Sequence, residues 1–299
     1  MKFDVIGFGA LNVDKLCHVN RIACGGEESF ILKTSEAAGG SAANTIVGLA
    51  RLGLKTGFIG KVADDHEGQL LLDDFKKEGV NTEGITVIKQ GHSGNVTAFV
   101  DRTGERALYV HPSVNDTLTL NEIDIEYAKH TQFMHFASMD EKPFQTQKQL
   151  VEVLHEVKIS LDPGEIYSQK GIAKLAPILR RCYVFMPSEN ELRMLTRKHF
   201  KKGAAFILKY GVGIVAVKLG RKGCYVTDGK ESHLIEPSEA RPIDKTGAGD
   251  AFCAGFLYGL VKKKDLYECG RLGNFVASRC IEKIGARAGL PRASDFKNI

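Results

Sequence analysis

The chain has 299 residues, of which 43% are hydrophobic and 26% charged, and it carries a net charge of +5. These proportions are ordinary for a globular protein, and no apolar run reaches the roughly 18 residues that a membrane-spanning helix needs, so no membrane association is expected. The opening MKFDVIGFGA has an acidic residue at position 4 and no small-residue cleavage site, which argues against a signal peptide.

The scattered cysteines and the modest basic charge exclude several classes of protein. The seven cysteines form no C-x-x-C pair, which argues against a disulfide framework and a zinc site and for a reducing, cytoplasmic location. Basic clusters such as RKHFKK (197–202) are typical of solvated helix faces. Nucleic-acid binding would need a basic stripe with interleaved aromatic residues; the sequence has none, so no nucleic-acid partner is expected.

The first part of the chain alternates strand-like and helix-like segments. The apolar run FDVIGFG (3–9) predicts a buried strand, and SAANTIVGLARLGLK (41–55) predicts a helix that ends at Gly53. KTGFIGKV (55–62) then predicts a strand, and EGQLLLDDFKKEGV (67–80) predicts an amphipathic helix. This β–α–β–α order is typical of a parallel sheet covered by helices.

Two segments interrupt that order. Residues 94–111 alternate apolar and polar side chains on both sides of DRTGE, which predicts a hairpin with its turn near Thr103 and Gly104. Residues 16–34 are irregular and extended in character. We expect the two segments to pair as a small sheet that stands off the main domain.

The α/β order returns in the second half. TQFMHFAS, KISLDPG, CYVFMPS and GIVAVKLG each predict a strand, and PFQTQKQLVEVLHEV predicts a helix. Two more helices are expected over 249–263 and 266–283. The sequence contains no internal repeat and no long linker, so residues 1–299 are predicted to form one α/β domain with a small β insertion.

Residues 243–252, IDKTGAGDAF, place small residues directly before a carboxylate at the start of a predicted helix. At such a helix N-terminus, the N–H groups of Ala248, Gly249 and Asp250 can cradle a phosphoryl group. Asp250 can then take a proton from a hydroxyl that attacks the phosphorus. The spacing by itself also fits an ordinary N-cap on a glycine-rich turn.

A second candidate segment is GALNVD (9–14), which follows the first strand, at the edge of a parallel sheet where ligands bind. Asn12 and Asp14 point the same way in an extended segment, and an amide beside a carboxylate suits the hydroxyls of a sugar. The competing interpretation, a dinucleotide-binding G-x-G-x-x-G, is incomplete because position 12 is Asn.

The third candidate segment, AAGGSAANT (37–45), places Gly39 and Gly40 just before a helix that carries Asn44. The two glycines permit close approach of a ligand, and Asn44 would face the same pocket. A loop with a tolerated Asn is the other interpretation. No G-K-S or G-K-T occurs, so a nucleotide site would not be a P-loop.

Together the three segments resemble the ribokinase-like, or PfkB, family of carbohydrate kinases. AGGSAAN is similar to that family's first signature, DKTGAGDAFCAGFL to its second and more specific one, and GALNVD to its N-terminal sugar-binding segment. The resemblance runs over essentially the whole chain and includes VAVKLGRKGCYV and GARAGLP. It implies a mostly parallel sheet flanked by helices, a β-sheet lid formed by 16–34 and 94–111, and ATP-dependent phosphorylation of a sugar or sugar-like alcohol with Mg²⁺.

The resemblance also implies a role for each matching residue. Asp250 is the expected catalytic base, and Gly247, Ala248 and Gly249 form the expected anion hole. Positions expected to hold the acceptor hydroxyls are Asn12, Asp14, Gly39, Gly40 and Asn44. Positions expected to contact the nucleotide are Lys218, Gly220, Gly223 and Asn274. Glu191 is expected to hold Mg²⁺ through water, and Asp244 and Thr246, with carbonyls of residues 281–286, are expected to bind a monovalent cation such as K⁺.

Three positions depart from the family pattern. Ser188 stands where the magnesium-ordering motif usually has Asn, and Lys218 stands where many members have Thr, so its ammonium can reach a phosphate instead. Lys245 lies between the two expected cation ligands, where a positive charge disfavours a bound cation.

Several alternatives stay open at the level of sequence. A nucleoside kinase has the same motifs, and an aromatic slot for its base could come from Phe30, Phe99, Tyr109 and His111. A non-catalytic binding protein of the same fold would not need Asp250. The donor can be ATP, ADP or another nucleotide. A homodimer joined through the lids is expected, because a flat hairpin leaves unpaired strand edges.

Overall fold

The computed structural model describes residues 2–103 and 105–296. Its strands, in chain order, are β1 (Phe3–Phe8), β2 (Asn12–Val19), β3 (Ile31–Gly39), β4 (Thr56–Ala63), β5 (Ile85–Ile88), β6 (Gly94–Val100), β7 (Arg106–His111), β8 (Thr131–Ala137), β9 (Lys158–Asp162), β10 (Cys182–Phe185), β11 (Ile214–Lys218), β12 (Cys224–Thr227) and β13 (Ser232–Ile235). The described strands form two separate sheets.

The larger sheet has the strand order β13-β12-β11-β10-β9-β8-β1-β4-β5. All pairs from β5 to β11 are parallel, whereas β11–β12 and β12–β13 are antiparallel. The strands predicted from apolar runs lie in the parallel part, and β4 is buried along its whole length. The expectation of a mostly parallel sheet is therefore confirmed.

Helices cover both faces of this sheet. They are α1 (Ser41–Arg51), α2 (His66–Lys77), α3 (Ile125–Lys129), α4 (Glu141–Val153), α5 (Gly164–Lys170), α6 (Ile172–Leu179), α7 (Glu189–Thr196), α8 (Phe200–Leu208), α9 (Ala248–Val261) and α10 (Leu266–Cys280). Residues of α1, α2, α9 and α10 join one core cluster, and residues of α4 to α8 join the other. Val5 and Ile6 belong to different clusters because successive side chains of a strand point to opposite faces.

The last helix is shorter than predicted. We expected a helix over 266–283, but α10 ends at Cys280. The carbonyl of Ile281 accepts the main-chain N–H groups of Ile243 and Asp244, at 2.7 and 3.2 Å. The helix therefore ends directly before Ile281, the residue whose carbonyl is bound by the loop that precedes α9.

The smaller sheet has the order β3-β2-β6-β7. The expected pairing of the two interrupting segments is present, since β2 runs parallel to β6 and β6–β7 is the expected hairpin. Gly104, placed near its turn, lies outside the described residues. The sheet is longer than predicted, because β2 begins at Asn12 and β3 continues to Gly39.

Candidate active site

The N-terminus of α9 is the centre of the site. Gly247, the residue before the helix, has φ of 77°, and a Cβ there would lie 2.6 Å from the Cβ of Ala286, so a larger residue would be both strained and crowded. Asp250 is the third residue of α9. The glycine-rich turn thus sets the direction in which the helix, and with it the carboxylate of Asp250, enters the site.

Both carboxylate oxygens of Asp250 accept hydrogen bonds from α1. Ser41 Oγ donates to Oδ1 at 2.6 Å, and Asn44 Nδ2 donates to Oδ2 at 2.8 Å. Thr45 Oγ1 donates to the main-chain carbonyl of Asp250 at 3.1 Å. Burial raises the pKa of Asp250 to about 6, and the two side-chain donors oppose that rise. Asp250 therefore does not cap its own helix, and its pKa lies near neutrality, as a general base requires.

Arg287 binds the side-chain oxygen of Asn44, whose amide nitrogen donates to Asp250. Its Nε donates to Asn44 Oδ1 at 2.7 Å, and it also pairs with Asp74 and donates to the carbonyl of Gly39 at 3.3 Å. The sequence reasoning did not identify Arg287, although the segment GARAGLP was noted. Its partners lie more than 200 positions away, so no local pattern reports them.

The expected acceptor residues lie at the junction of the two sheets. Asn12 Oδ1 accepts from Asn115 Nδ2 at 2.9 Å, and Asn115 also bonds both main-chain polar groups of Leu11 at 3.0 Å. Because Asn115 donates here, the Asn12 oxygen is occupied and its amide N–H groups remain for a ligand. Asn115 was missed because it lies in a short 3₁₀ turn.

Asp14 differs from Asn12 because its carboxylate has no hydrogen-bond or ion-pair partner within 2–103 and 105–296. Burial raises its pKa to about 6, and the charge of Arg287 lowers it in part. A Cβ on Gly39 would lie 2.3 Å from Asp14 Oδ2, so glycine makes room for this carboxylate. A shielded carboxylate without a partner is suited to accept hydrogen bonds from ligand hydroxyls.

On the other side of Asp250, Lys218 ends β11 beside the glycine-rich turn. A Cβ on Gly249 would lie 3.3 Å from Lys218 Nζ. The ammonium donates to Asp162 Oδ2 at 2.5 Å, and Cys253 Sγ donates to the same oxygen at 3.4 Å. His135, fully buried on β8, has its pKa lowered to about 4 by burial and stays neutral.

The main-chain N–H groups of the turn are partly engaged. Ala248 donates to the carbonyl of Lys245 at 3.2 Å. Across the described part of the chain, the N–H groups of Gly249 and Asp250 have no acceptor. These two donors, the positive end of α9 and the Lys218 ammonium converge beside Asp250, so the site can hold an anion there.

Glu191 and Ser188 form a capping box at the start of α7. Ser188 N–H donates to Glu191 Oε2 at 2.7 Å, and Glu191 N–H donates to Ser188 Oγ at 3.2 Å. Serine at the family's usual Asn position therefore serves as the helix cap. Burial raises the pKa of Glu191, and Lys218 is the nearby charge that lowers it, so Glu191 borders the same site.

The expected nucleotide-contacting residues lie beyond Lys218. Gly220 and Gly223 have φ of 59° and 80° and bracket the turn between β11 and β12. A Cβ on Gly223 would lie 2.0 Å from the carbonyl of Ile235. Asn274 on α10 is buried, and its Nδ2 donates to the carbonyl of Glu236 at 2.7 Å, which holds the chain after β13 in place.

Asp244 and Thr246 form a closed loop of hydrogen bonds. Asp244 Oδ1 accepts from the N–H of Thr246 at 3.0 Å and from its Oγ1 at 2.7 Å, and Oδ2 accepts from Gly285 N–H at 2.8 Å. Lys245 is exposed. These bonds hold the loop against residues 281–286. Among the described residues, no group of three or more His, Cys, Asp or Glu side chains is arranged to hold a metal ion.

Comparisons with known proteins agree with one another. A profile described as pfkB family carbohydrate kinase matches residues 5–293. An uncharacterized sugar kinase of Archaeoglobus fulgidus is 45% identical over 253 residues, which cover 83% of this chain and 100% of the relative. A ribokinase of Staphylococcus aureus is 27% identical over 307 residues, 99% of each chain.

Solved structures share the fold. Arabidopsis thaliana ribokinase complexed with ribose and ATP has a TM-score of 0.89 and 24% identity, covering 98% of this chain and 97% of that one. A putative ribokinase II from E. coli, in complex with ATP and Mg²⁺, has a TM-score of 0.86 and 22% identity, with the same coverage. The nine-stranded and four-stranded sheets described above are therefore those of a ribokinase-like fold. Within the described residues, no helix is both long and apolar enough to cross a membrane.

Proposed function

Since the chain belongs to the pfkB family of carbohydrate kinases, we propose that it transfers the γ-phosphoryl group of ATP to a hydroxyl of a small sugar or sugar-like alcohol. One observation carries the proposal: a carboxylate with a pKa of about 6, that of Asp250, lies beside two unengaged N–H groups and the Lys218 ammonium. A base and an anion site in contact are what phosphoryl transfer to a hydroxyl requires.

In the proposed step, an oxygen of the acceptor attacks the γ-phosphorus. The new O–P bond forms as the bond between the γ-phosphorus and the oxygen of the leaving ADP breaks, and the hydroxyl proton passes to Asp250. Ser41 and Asn44 hold the two carboxylate oxygens of Asp250, so the base has a fixed orientation before the acceptor arrives.

The negative charge on the transferred phosphoryl group is stabilised by the glycine-rich turn and by Lys218. We assign Gly247, Ala248 and Gly249 to the turn that forms the anion hole, with the N–H groups of Gly249 and Asp250 as its donors. Lys218 adds a full positive charge at the same place. Such donors act most strongly on charge that develops in the transition state.

The acceptor is proposed to lie between the two sheets. Asp14 accepts hydrogen bonds from its hydroxyls, and Asn12 and Asn44 supply amide groups. We assign Gly39 and Gly40 to the same acceptor site, where their missing side chains leave room for the Asp14 carboxylate and the Ala10 carbonyl. This arrangement is supported by the unpartnered carboxylate of Asp14 and by the amide N–H groups that Asn115 leaves free on Asn12.

The nucleotide is proposed to extend from the anion hole over Lys218, Gly220 and Gly223 towards Asn274. Mg²⁺ fits this site, because it is commonly held by one or two carboxylates, waters and substrate phosphates, and the carboxyl groups of Glu191 and Asp162 lie near each other. When bound, Mg²⁺ neutralises negative charge on the phosphates. ATP and Mg²⁺ are present in structures of the same fold.

We further propose that a monovalent cation such as K⁺ binds at Asp244 and Thr246. The carboxylate of Asp244 and the hydroxyl of Thr246 lie together in this loop, and such oxygen atoms are suitable ligands for the cation. A cytoplasmic location is supported by the seven free cysteines.

We propose that the chain forms a single domain and that its small sheet acts as a lid over the acceptor. The lid would exclude water, which otherwise competes as phosphoryl acceptor. It is also the proposed dimer interface. Its edge strands β3 and β7 expose large apolar side chains, including Leu32 at 55%, Leu108 at 60% and Val110 at 63%. A second copy of the chain covers both the apolar residues and the open strand edges.

The lid argues for a sugar rather than a nucleoside as acceptor. Cys17 pairs with Phe99, and Thr97 pairs with Tyr109. Because Asp14 is three residues from Cys17, the aromatic side chains of Phe99 and Tyr109 lie on the face opposite to Asp14. They are therefore badly placed to form a slot for a base beside the acceptor.

The test is a panel of sugars, polyols, sugar phosphates and nucleosides with ATP and Mg²⁺, read as ADP release. Turnover of a sugar or polyol supports the proposal, whereas turnover of nucleosides alone contradicts it. Repeating the panel with ADP as donor, and with Na⁺ in place of K⁺, tests the donor and the cation separately.

A further inference from the structure

Arg287 uses every edge of its guanidinium inside the protein. It is 9% exposed, and its charge also acts on Asp14. Its Nε donates to Asn44 Oδ1, one terminal nitrogen pairs with Asp74 of α2, and the other donates to the carbonyl of Gly39. One side chain therefore joins α2, the end of β3 and α1, immediately behind the catalytic base.

The contact between Arg287 and Asn44 fixes which way the Asn44 amide points. A guanidinium can only donate hydrogen bonds, so the Asn44 atom that faces it must be the oxygen. The amide nitrogen must then face Asp250, to which it donates at 2.8 Å. Among the described residues, Arg287 alone donates to Asn44 Oδ1, so without it the amide keeps only its bond to Asp250 and can rotate away from that carboxylate.

We propose that Arg287 is a positioning residue for phosphoryl transfer, which acts on Asp250 through Asn44 and is itself anchored by Asp74. The proposal rests on the proposed function, since it needs Asp250 to be the base. It assigns Arg287 no contact with the acceptor or with ATP. Its effect is to keep a donor, rather than an acceptor, against one oxygen of the base.

Other charged and titratable groups also face Asp250, and the test must separate Arg287 from them. They come from the neighbouring strands, from α9 itself, from α10 and from the C-terminal segment, and they are Asp162, Lys218, Cys253, Cys280 and Arg287. Arg287 alone in this group hydrogen-bonds a residue that donates to the Asp250 carboxylate.

A hydrogen bond to the charged form of a carboxylate lowers its pKa, so loss of the Asn44 bond raises that of Asp250. The base is then ionised only at higher pH. In Arg287→Met, we therefore expect the acid limb of the kcat profile to move upward by roughly one pH unit. Arg287→Lys keeps the positive charge but cannot reach Asn44, Asp74 and Gly39 together, and its limb should move in the same direction.

Arg51 supplies a stringent control. It is a half-buried arginine of α1 that pairs with Glu78 and donates to the carbonyls of Arg287 and Leu290, at 2.5 and 3.3 Å. It therefore holds the same C-terminal segment without touching Asn44 or Asp250. We expect Arg51→Lys to lower the melting temperature but to leave the acid limb in place.

The possible outcomes distinguish a failure of the positioning role of Arg287 from a failure of the proposed function. If Asp250→Asn is inactive but the acid limb of both Arg287 variants stays in place, or moves equally in Arg51→Lys, the positioning role is wrong and the proposed function stands. If Asp250→Asn keeps near-normal turnover, both are wrong. If Arg287→Met fails to fold, Asp74→Asn, which releases the anchor at a partly exposed position, should still raise the limb, and an unmoved limb there also overturns the proposal.

Discussion

Lys218 Nζ lies 2.5 Å from Asp162 Oδ2, although their strands, β11 and β9, are not neighbours and β10 lies between them. Both residues end their strands, so the pair crosses the carboxyl edge of the sheet. Burial alone lowers the pKa of Lys218, but Asp162 raises it overall, and the ammonium stays charged. A permanent positive charge is thereby fixed beside Gly249.

Replacing Lys218 should affect stability and catalysis for different reasons. Lys218→Met leaves the buried Asp162 carboxylate without its positively charged partner, which typically costs about 3–5 kcal/mol of unfolding free energy. The loss of positive charge beside the transferred group should lower kcat by about 10²-fold. In Lys218→Met/Asp162→Asn, denaturant melts should show recovered stability while kcat stays low. Recovery of kcat together with stability would contradict a direct role for the ammonium.

Asp250 and Asp14 should separate in steady-state kinetics. Asp250→Asn removes the base, so kcat should fall by about 10²–10⁴-fold or more while KM for ATP changes little. Asp14→Asn should mainly raise KM for the acceptor, because that carboxylate holds hydroxyls and does not meet the phosphorus. Near-normal turnover by folded Asp250→Asn would mean that Asp250 is a structural residue at a helix start.

The pH profile of the wild-type enzyme should have an acid limb near pH 6. Asp250 must be ionised to accept a proton, and its pKa is raised by burial to about 6, so kcat should rise with pH through that value. His135 does not contribute, because burial lowers its pKa to about 4. The limb should persist in kcat of Asp14→Asn. A profile that is flat from pH 5 to 8 would contradict Asp250 as the base.

The ionised carboxylate of Asp14 should lower the free energy of unfolding at neutral pH. Its pKa is raised from 3.8 to about 6 by burial, so ionisation is harder in the folded than in the unfolded chain. Protonation of Asp14 therefore adds to the free energy of unfolding. This contribution is fully present below about pH 4 and is lost as the pH rises through 6. Asp14→Asn should raise the unfolding free energy at pH 8 by about 1–2 kcal/mol, allowing for solvent screening. Denaturant melts at pH 4 serve as the control, where the gain should vanish.

The proposed dimer should depend on the exposed apolar residues of β7. Leu108 and Val110 lie on one face of this edge strand, 60% and 63% exposed. Leu108→Asp/Val110→Asp should convert a dimer to a monomer of 32.7 kDa in light scattering. Leu234→Asp is the matched control, at a 57% exposed position on β13 at the edge of the larger sheet. A wild-type chain that is monomeric at all practical concentrations would contradict the interface.

The sequence predicted best where a local pattern determines the structure. The apolar strands β1, β4 and β11 and the amphipathic helices α1, α2 and α4 follow from periodicity. The strands β5, β12 and β13 were not identified, although the equally short β10 was. Helices α5 to α8 were not identified, because seven to nine residues give too little helical periodicity.

The site was predicted in part for the same reason. Asp250, Asn44 and Asp14 stand in short motifs whose spacing and resemblance point to chemistry. Asp162 and Arg287 are single charged residues whose partners come from distant segments, 56 and 243 positions away. Only folding brings these pairs together, so one sequence carries no signal for them. The same holds for the capping role of Ser188, since it depends on where α7 begins.

The strands of the small sheet run directly into the catalytic residues. β2 starts with Asn12 and carries Asp14, and β3 ends at Gly39, two residues before Ser41, which donates to Asp250. No flexible linker separates the two functions, so a tilt of the small sheet also shifts the groups that hold the acceptor and the base. The apparent dissociation constant for the acceptor therefore equals the intrinsic constant of the closed form divided by the fraction of molecules already closed. Substitutions on β3 or β7 that weaken the proposed dimer should thus also change the KM for the acceptor, by changing that closed fraction.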